Sequence, residues 1–301
     1  METINSRLQV PTSMDSVLRA VEKEFSHCAN YAKGRGDQFY HWMGHHHPGA
    51  QLWPAERASG LRQDLACSGA GPLYSNREYY AEFLDYCLHE SGNILQENLF
   101  IILSSTEMTA YARVCSIVHL AISIPTRWLA GKTHELKGDD WSVRSMGLMV
   151  DSLEDALMQI QEDPKLFLDE NFMMGIFSDI EDKVPQLKEH LLYLFEEKQT
   201  DTIGGESKSL PYDQLRAELF FPVNETNKST DSIVLDLAFE AVTSSLSELR
   251  DEKKATAEYL SSLDGRFSFL NTSDEDHKAT LGKTAVNDNA ERPFGVLTGQ
   301  L

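Results

Sequence analysis

Four histidines fall within seven positions of one another, at His41, His45, His46 and His47, and Cys28 lies upstream of them. Imidazole and thiolate are the side chains that hold zinc. Cys28, His41 and His45 keep the Cys-x12-His-x3-His spacing of the back half of a zinc finger. A whole finger needs a second cysteine two to four residues before Cys28, and those positions hold Glu24, Phe25 and Ser26. A solvated His-rich loop is therefore the expectation, and Cys28, His41 and His45 remain the metal candidates. His119 lies in an apolar stretch and is expected to be a core histidine with a hydrogen-bonding neighbour.

Two carboxylates near the end of the chain could also do chemistry. Asp288 and Glu291 sit in Asn287-Asp288-Asn289-Ala290-Glu291-Arg292. A spacing of three places both on the first turn of a helix, where capping explains them and metal binding is the sharper alternative. Arg127-Trp128 follows Pro125 at a helix junction. A tryptophan there is an anchor for packing, or, with its arginine, a clamp that stacks on nucleic acid. Gly131-Lys132-Thr133 lacks the upstream glycine of a phosphate loop, because position 126 is Thr126. No GxSxG or HExxH sequence occurs.

The elements that must position these residues read as helices. Met14, Val17, Leu18, Val21 and Phe25 share one face of a helix expected over 13–33. Residues 34–75 hold scattered glycines and prolines and are expected to be irregular. Asn76 is placed as the cap of a helix whose Tyr79, Tyr80, Phe83, Leu84, Cys87 and Leu88 share a face. Helices are expected at 93–103, 105–124, 141–161, 172–180, 185–198, 212–220, 231–249 and 255–263. The one at 105–124 is apolar nearly all round and is placed at the centre of the core, ended or kinked by Pro125. The fold class expected is all-α, an irregular array of about eight to ten helices with an irregular N-terminal segment and a polar C-terminal tail. Its divisions are 1–75, a helical core at 76–199, a polar linker at 200–210, a second helical part at 211–263, and a tail at 264–301 with a short terminal helix.

The chain has 301 residues, 41% hydrophobic and 25% charged, which suits a packed core rather than disorder. Its 27 basic and 47 acidic residues leave a net charge of −20, which disfavours a general binder of nucleic acid or anionic membrane. The charge is lopsided: residues 1–150 hold 13 basic and 16 acidic side chains, and residues 151–301 hold 14 and 31. An anionic partner is therefore expected only on the first half, where Arg113, Arg127, Lys132 and Arg144 lie. The four cysteines have no CxxC spacing, and the N-terminus lacks a basic-then-apolar leader, so an intracellular chain with free thiols is expected. The apolar run 108–124 carries Arg113 and His119, which argues for a buried helix over a membrane span.

Some of these residues carry a family resemblance. Ile124-Pro125-Thr126-Arg127-Trp128-Leu129 is similar to the Arg-Trp motif in the helical insertion of hAT-like DDE transposases. Asn287-Asp288-x-Ala290-Glu291-Arg292 resembles the segment that places the last catalytic acid on the final helix of their RNase H-like domain, and Ala257-Glu258-Tyr259-Leu260 resembles a stretch near the insertion's end. The resemblance covers much of 76–301. It implies Glu291 as third acid with Asp288 beside it, Mg²⁺ as cofactor, DNA as partner through Arg127, Trp128, Lys132 and Arg144, and a nuclear location. In that family, metal ions held by three acids activate water and then a 3′-hydroxyl. The chain departs from the pattern. The family's Cys-x2-His is absent, since Asn30 and Tyr31 follow Cys28, and Asp37 and Asp64 are only nominal candidates for the first and second acids. The resemblance thus implies a transposon-derived fragment that is not catalytic alone. The alternative is an acidic helical module, cytoplasmic, that binds protein partners and no membrane.

Overall fold

The computed structural model describes residues 14–25, 35–53, 64–132, 146–182, 184, 186–187, 189, 198–202, 208–210, 212–222 and 228–256. The fold is all-α, with three short strands among the described residues. Its described parts cluster into two compact units, Met1–Ser116 with Leu194–Val234, and Ile117–Tyr193 with Leu235–Leu301.

In the first unit, α1 (Met14–Phe25) buries Val17, Leu18, Val21 and Phe25, the face that the spacing selects. Glu24 is also buried, where its carboxylate accepts from Gln96 Nε2 at 2.6 Å. Next, α2 (Gly36–His46) turns Phe39, Trp42 and Met43 inward. Asp37 in its first turn and His45 and His46 in its last match the helix dipole. A turn through Gly49, at φ +84, leads to β1 (Gln51–Leu52).

The irregular segment expected over 34–75 is in large part helical. Besides α2, the helix α3 (Asp64–Ser91) begins well before Asn76 and carries Gly69, Gly71 and Pro72 inside it. These residues act as helix breakers in isolation. Here the two glycines admit close packing: a Cβ on Gly71 would sit 2.9 Å from Leu215 Cδ2, and one on Gly69 3.0 Å from Leu18 Cδ2. Asn76 is accordingly not a cap. It is buried within α3, where Nδ2 donates to the Trp53 carbonyl at 2.6 Å and Oδ1 accepts from the Trp53 N–H at 3.0 Å. That pair satisfies both backbone groups of a residue the short strand leaves behind.

Helix α4 (Ile94–Leu103) starts at a full capping box: Asn93 Oδ1 accepts from Gln96 N, and Gln96 Oε1 accepts from Asn93 N, both at 3.1 Å. Two residues later α5 (Thr106–Val118) begins, with Ser105 Oγ accepting from Met108 N at 3.1 Å. The expected polar linker contributes to a sheet instead. Here β2 (Lys198–Thr202) and β3 (Lys208–Leu210) pair antiparallel, Lys198 opposite Leu210, and β1 pairs with β2, Gln51 opposite Thr202. Lys198-Gln199-Thr200-Asp201-Thr202 is polar throughout, so no alternation of apolar and polar residues marks β2 as a strand. Helix α10 spans Tyr212–Phe220 as expected.

In the second unit, the helical run continues from α5 through one π turn (His119–Ser123) into α6 (Ile124–Lys132). Pro125 explains the widening. It has no N–H to give to the carbonyl four residues back, and its ring would strike that carbonyl. Thr126 Oγ1 donates instead to the Ile122 and Ser123 carbonyls, at 2.8 and 3.1 Å. Helix α7 (Met146–Glu162) buries Met149, Val150, Leu153, Leu157 and Ile160. After a 3-10 turn (Pro164–Leu168), the helix expected at 172–180 is split into α8 (Glu170–Met174) and α9 (Ser178–Glu181), because Gly175 ends the first. The last described helix, α11 (Asp231–Thr256), belongs to the first unit as far as Val234, and beyond it buries Ala238, Ala241, Val242 and Leu246. The stretch Thr106–Leu129 is long and apolar enough to cross a membrane, and 94% of its most apolar window is buried by the protein itself.

Candidate functional site

His41, His45 and His46 lie on α2 and His47 follows its last residue, so the cluster is not a loop. The inner face of α2 rests on an aromatic core: Phe25 stacks on Tyr80 at 4.2 Å, and Phe39 and Trp42 meet Phe83 edge-on at 5.4 and 5.6 Å. His46 stacks on Trp42 at 4.7 Å. His47 Nε2 lies 3.0 Å from Glu82 Oε2, and its ring meets Tyr79 at 5.0 Å. The pair is exposed, so it adds at most about 1 kcal/mol. His41 and His45 stand on the outer face, exposed, with ring centroids 4.6 Å apart. Cys28, the third candidate ligand, lies outside the described residues. Among the described residues no three His, Cys, Asp or Glu side chains converge on a common point.

A second feature is apolar. Where α3 passes into α4, an open hollow of about 790 Å³ is lined by Leu88, Gly92, Asn93, Ile94, Leu95 and Glu97. Ile94 is 77% exposed, and Ile101, two turns along the same face, is 39% exposed. Glu97 is exposed between them. The corner needs a glycine: a Cβ on Gly92 would fall 2.3 Å from Leu88 Cδ2. Single exposed apolar residues are ordinary, but two on one stripe beside a hollow form a patch.

Two buried arginines brace the first unit. Arg113, expected as a contact for an anion, is fully buried on α5. Its Nε donates to the Leu219 carbonyl at 2.6 Å, and Nη1 donates to Asp231 Oδ1 at 2.5 Å and to Thr230 Oγ1 at 3.4 Å. It therefore ties the end of α10 to the start of α11 and offers nothing to a partner. Arg77 donates to Thr109 Oγ1, the Tyr74 carbonyl and Glu78, and lies over the Tyr74 ring. Burial lowers its pKa, opposed by Glu78. Burial likewise pushes the Tyr74 hydroxyl up to about 12 and raises that of Tyr80 further.

In the second unit, Arg127 is exposed and Trp128 half-buried on α6, and Lys132 is the last residue of that helix. Arg144, Asp288 and Glu291 lie outside the described residues. Of the sequence-selected residues, then, the structure brings together His41 with His45, and sets Arg127 beside Trp128. Asn76 carries only the signal of a helix cap, and Arg77, Glu82 and the Ile94–Ile101 stripe carry no signal strong enough to select. The last had one in principle, since Ile94–Leu103 is apolar on more faces than a ten-residue helix can bury.

No protein-family model matches the chain, and no curated protein or solved structure is similar to it.

Proposed function

We propose that this protein is a helical module that binds a partner protein at the apolar corner of α4. The observation that carries the proposal is Ile94, 77% exposed, in line with Ile101 and beside the hollow under Leu88. Fully burying an isoleucine side chain stabilises a complex by about 1.5–3 kcal/mol. Glu97 between the two isoleucines, and the net charge of −20, select an amphipathic segment with basic residues flanking its apolar anchor. The test is capture of binding proteins by the wild type and by Ile94→Asp/Ile101→Asp, followed by titration of each purified partner. A partner of this site loses at least about tenfold in affinity for the variant. Partners that bind both forms equally overturn the proposal.

The second reading is a transposon-derived fragment, favoured by the exposure of Arg127 beside Trp128 on α6. On this reading the chain is nuclear and contacts DNA through Arg127, Trp128, Lys132 and Arg144. Glu291, with Asp288, is the remnant of an acid set that held Mg²⁺. It expects duplex DNA binding that weakens steeply as salt rises and weakens further in Arg127→Ala. No binding by the full chain at low salt removes it.

A further inference from the structure

We propose that His41 and His45 form a two-histidine site for a late first-row divalent ion, Cu²⁺, Ni²⁺ or Zn²⁺, on the outer face of α2. The two residues are one helical turn apart, so their side chains rise from the same stripe. Both are exposed, and their ring centroids lie 4.6 Å apart. Two imidazoles on adjacent positions of one ion, with bonds of about 2.0–2.1 Å, hold their centroids roughly 4.5–5 Å apart. The observed spacing therefore already suits chelation, and only rotation of exposed rings is needed. Among the described residues neither ring has another partner. Their neighbours do: His46 is stacked on Trp42, and His47 is paired with Glu82.

The backbone beneath the pair is held before any ion arrives. Phe39, Trp42 and Met43 are buried on the opposite side of the same turns, and the His47 N–H donates to the Met43 carbonyl at 2.8 Å. The ordering cost of bringing two ligands together is thereby small. Gly44 lies inside the turn that the ion would clip, and glycine is the weakest helix former after proline. Coordination across it would strengthen that turn. The last turn of a helix carries partial negative charge, and His45 lies in it, so a cation is favoured there. Two neutral nitrogen donors select copper, nickel and zinc over magnesium and calcium, which prefer oxygen. The remaining coordination positions go to water. Unlike the zinc-finger spacing, this site does not use Cys28.

The test is equilibrium dialysis of the full-length chain against Cu²⁺, Ni²⁺ or Zn²⁺ alone. One ion per chain is expected, with Cu²⁺ held most tightly. His41→Ala and His45→Ala each lose it, and both variants keep wild-type helix content because both side chains are exposed. His46→Ala and Cys28→Ala retain it. Bound Cu²⁺ shows nitrogen coupling in its electron paramagnetic resonance spectrum. Absence of a stoichiometric ion overturns the site, as does binding that survives both His41→Ala and His45→Ala. Loss of the ion in Cys28→Ala overturns it too, in favour of a three-ligand site.

Discussion

Helices α4 and α5 follow one another with only Ser104 and Ser105 between them, yet they meet water in opposite ways. The chain of α5 carries Thr109, Arg113 and Ser116, and all three are buried. The chain of α4 is more apolar, and it leaves Ile94 and Ile101 in solvent. Hydrophobicity alone ranks the two helices in the wrong order. What decides is whether polar groups find partners. Arg113 has a carbonyl, a hydroxyl and a carboxylate waiting for it, and Ser116 Oγ donates to the Ala112 carbonyl at 2.6 Å. A satisfied polar group can be buried at little net cost. Helix α4 buries Gln96, Leu99, Ile102 and Leu103 on one face, and Ile94 and Ile101 lie on the face left in solvent.

The comparison can be broken at its strongest point with Arg113→Met. The substitution leaves the Leu219 carbonyl without its donor and is expected to cost about 3 kcal/mol, read by chemical denaturation. Most of this comes from the buried carbonyl, because Asp231 is half exposed and its charge is screened. A cost below about 1 kcal/mol means that Arg113 does not hold α5 inside.

Alkali tests the same interior. Above pH 10 the unfolded Tyr74 loses its proton while the folded one, at about 12, keeps it. The stability tied to this group is thus full below pH 10 and lost as pH climbs from 10 to 12, by roughly 1.4 kcal/mol per unit. Tyr74→Phe should remove its share of that slope and leave the share of Tyr80, whose hydroxyl burial also raises. An unchanged slope removes Tyr74 as its source.

Asn76→Ala should follow, at about 2 kcal/mol, because both backbone groups of buried Trp53 lose their partner. Its readout is denaturation followed by tryptophan fluorescence. The smallest effect is expected on α4. Ile94→Asp/Ile101→Asp should change stability by no more than about 0.5 kcal/mol per site while weakening partner binding at least about tenfold. A large loss of stability would place those side chains in the core and erase the contrast between the two helices.

Much of the helical plan was legible. The face Val17, Leu18, Val21, Phe25, the start at Asn93, and α10 over Tyr212–Phe220 all follow from periodicity and capping. Residues 64–75 did not, because Gly69, Gly71 and Pro72 break helices by propensity, and the two glycines serve close packing on Leu18 and Leu215 that local sequence does not show. Asn76 read as a cap for the same reason: a local rule favours asparagine at helix starts, and its partner Trp53 is remote in sequence. The histidines were found by type and spacing. Their division into packed His46 and His47 and outward His41 and His45 required the orientation of α2.

Residue order by itself determined that the chain is helical, where most helices run, and that −20 of charge sits mainly in the second half, since these depend on neighbours a few positions apart. Tertiary structure alone decided that Arg113 is spent on the interior and that Ile94 is left outside it. Both outcomes depend on which distant carbonyl, hydroxyl or apolar face arrives at each helix, and local spacing carries no information about that.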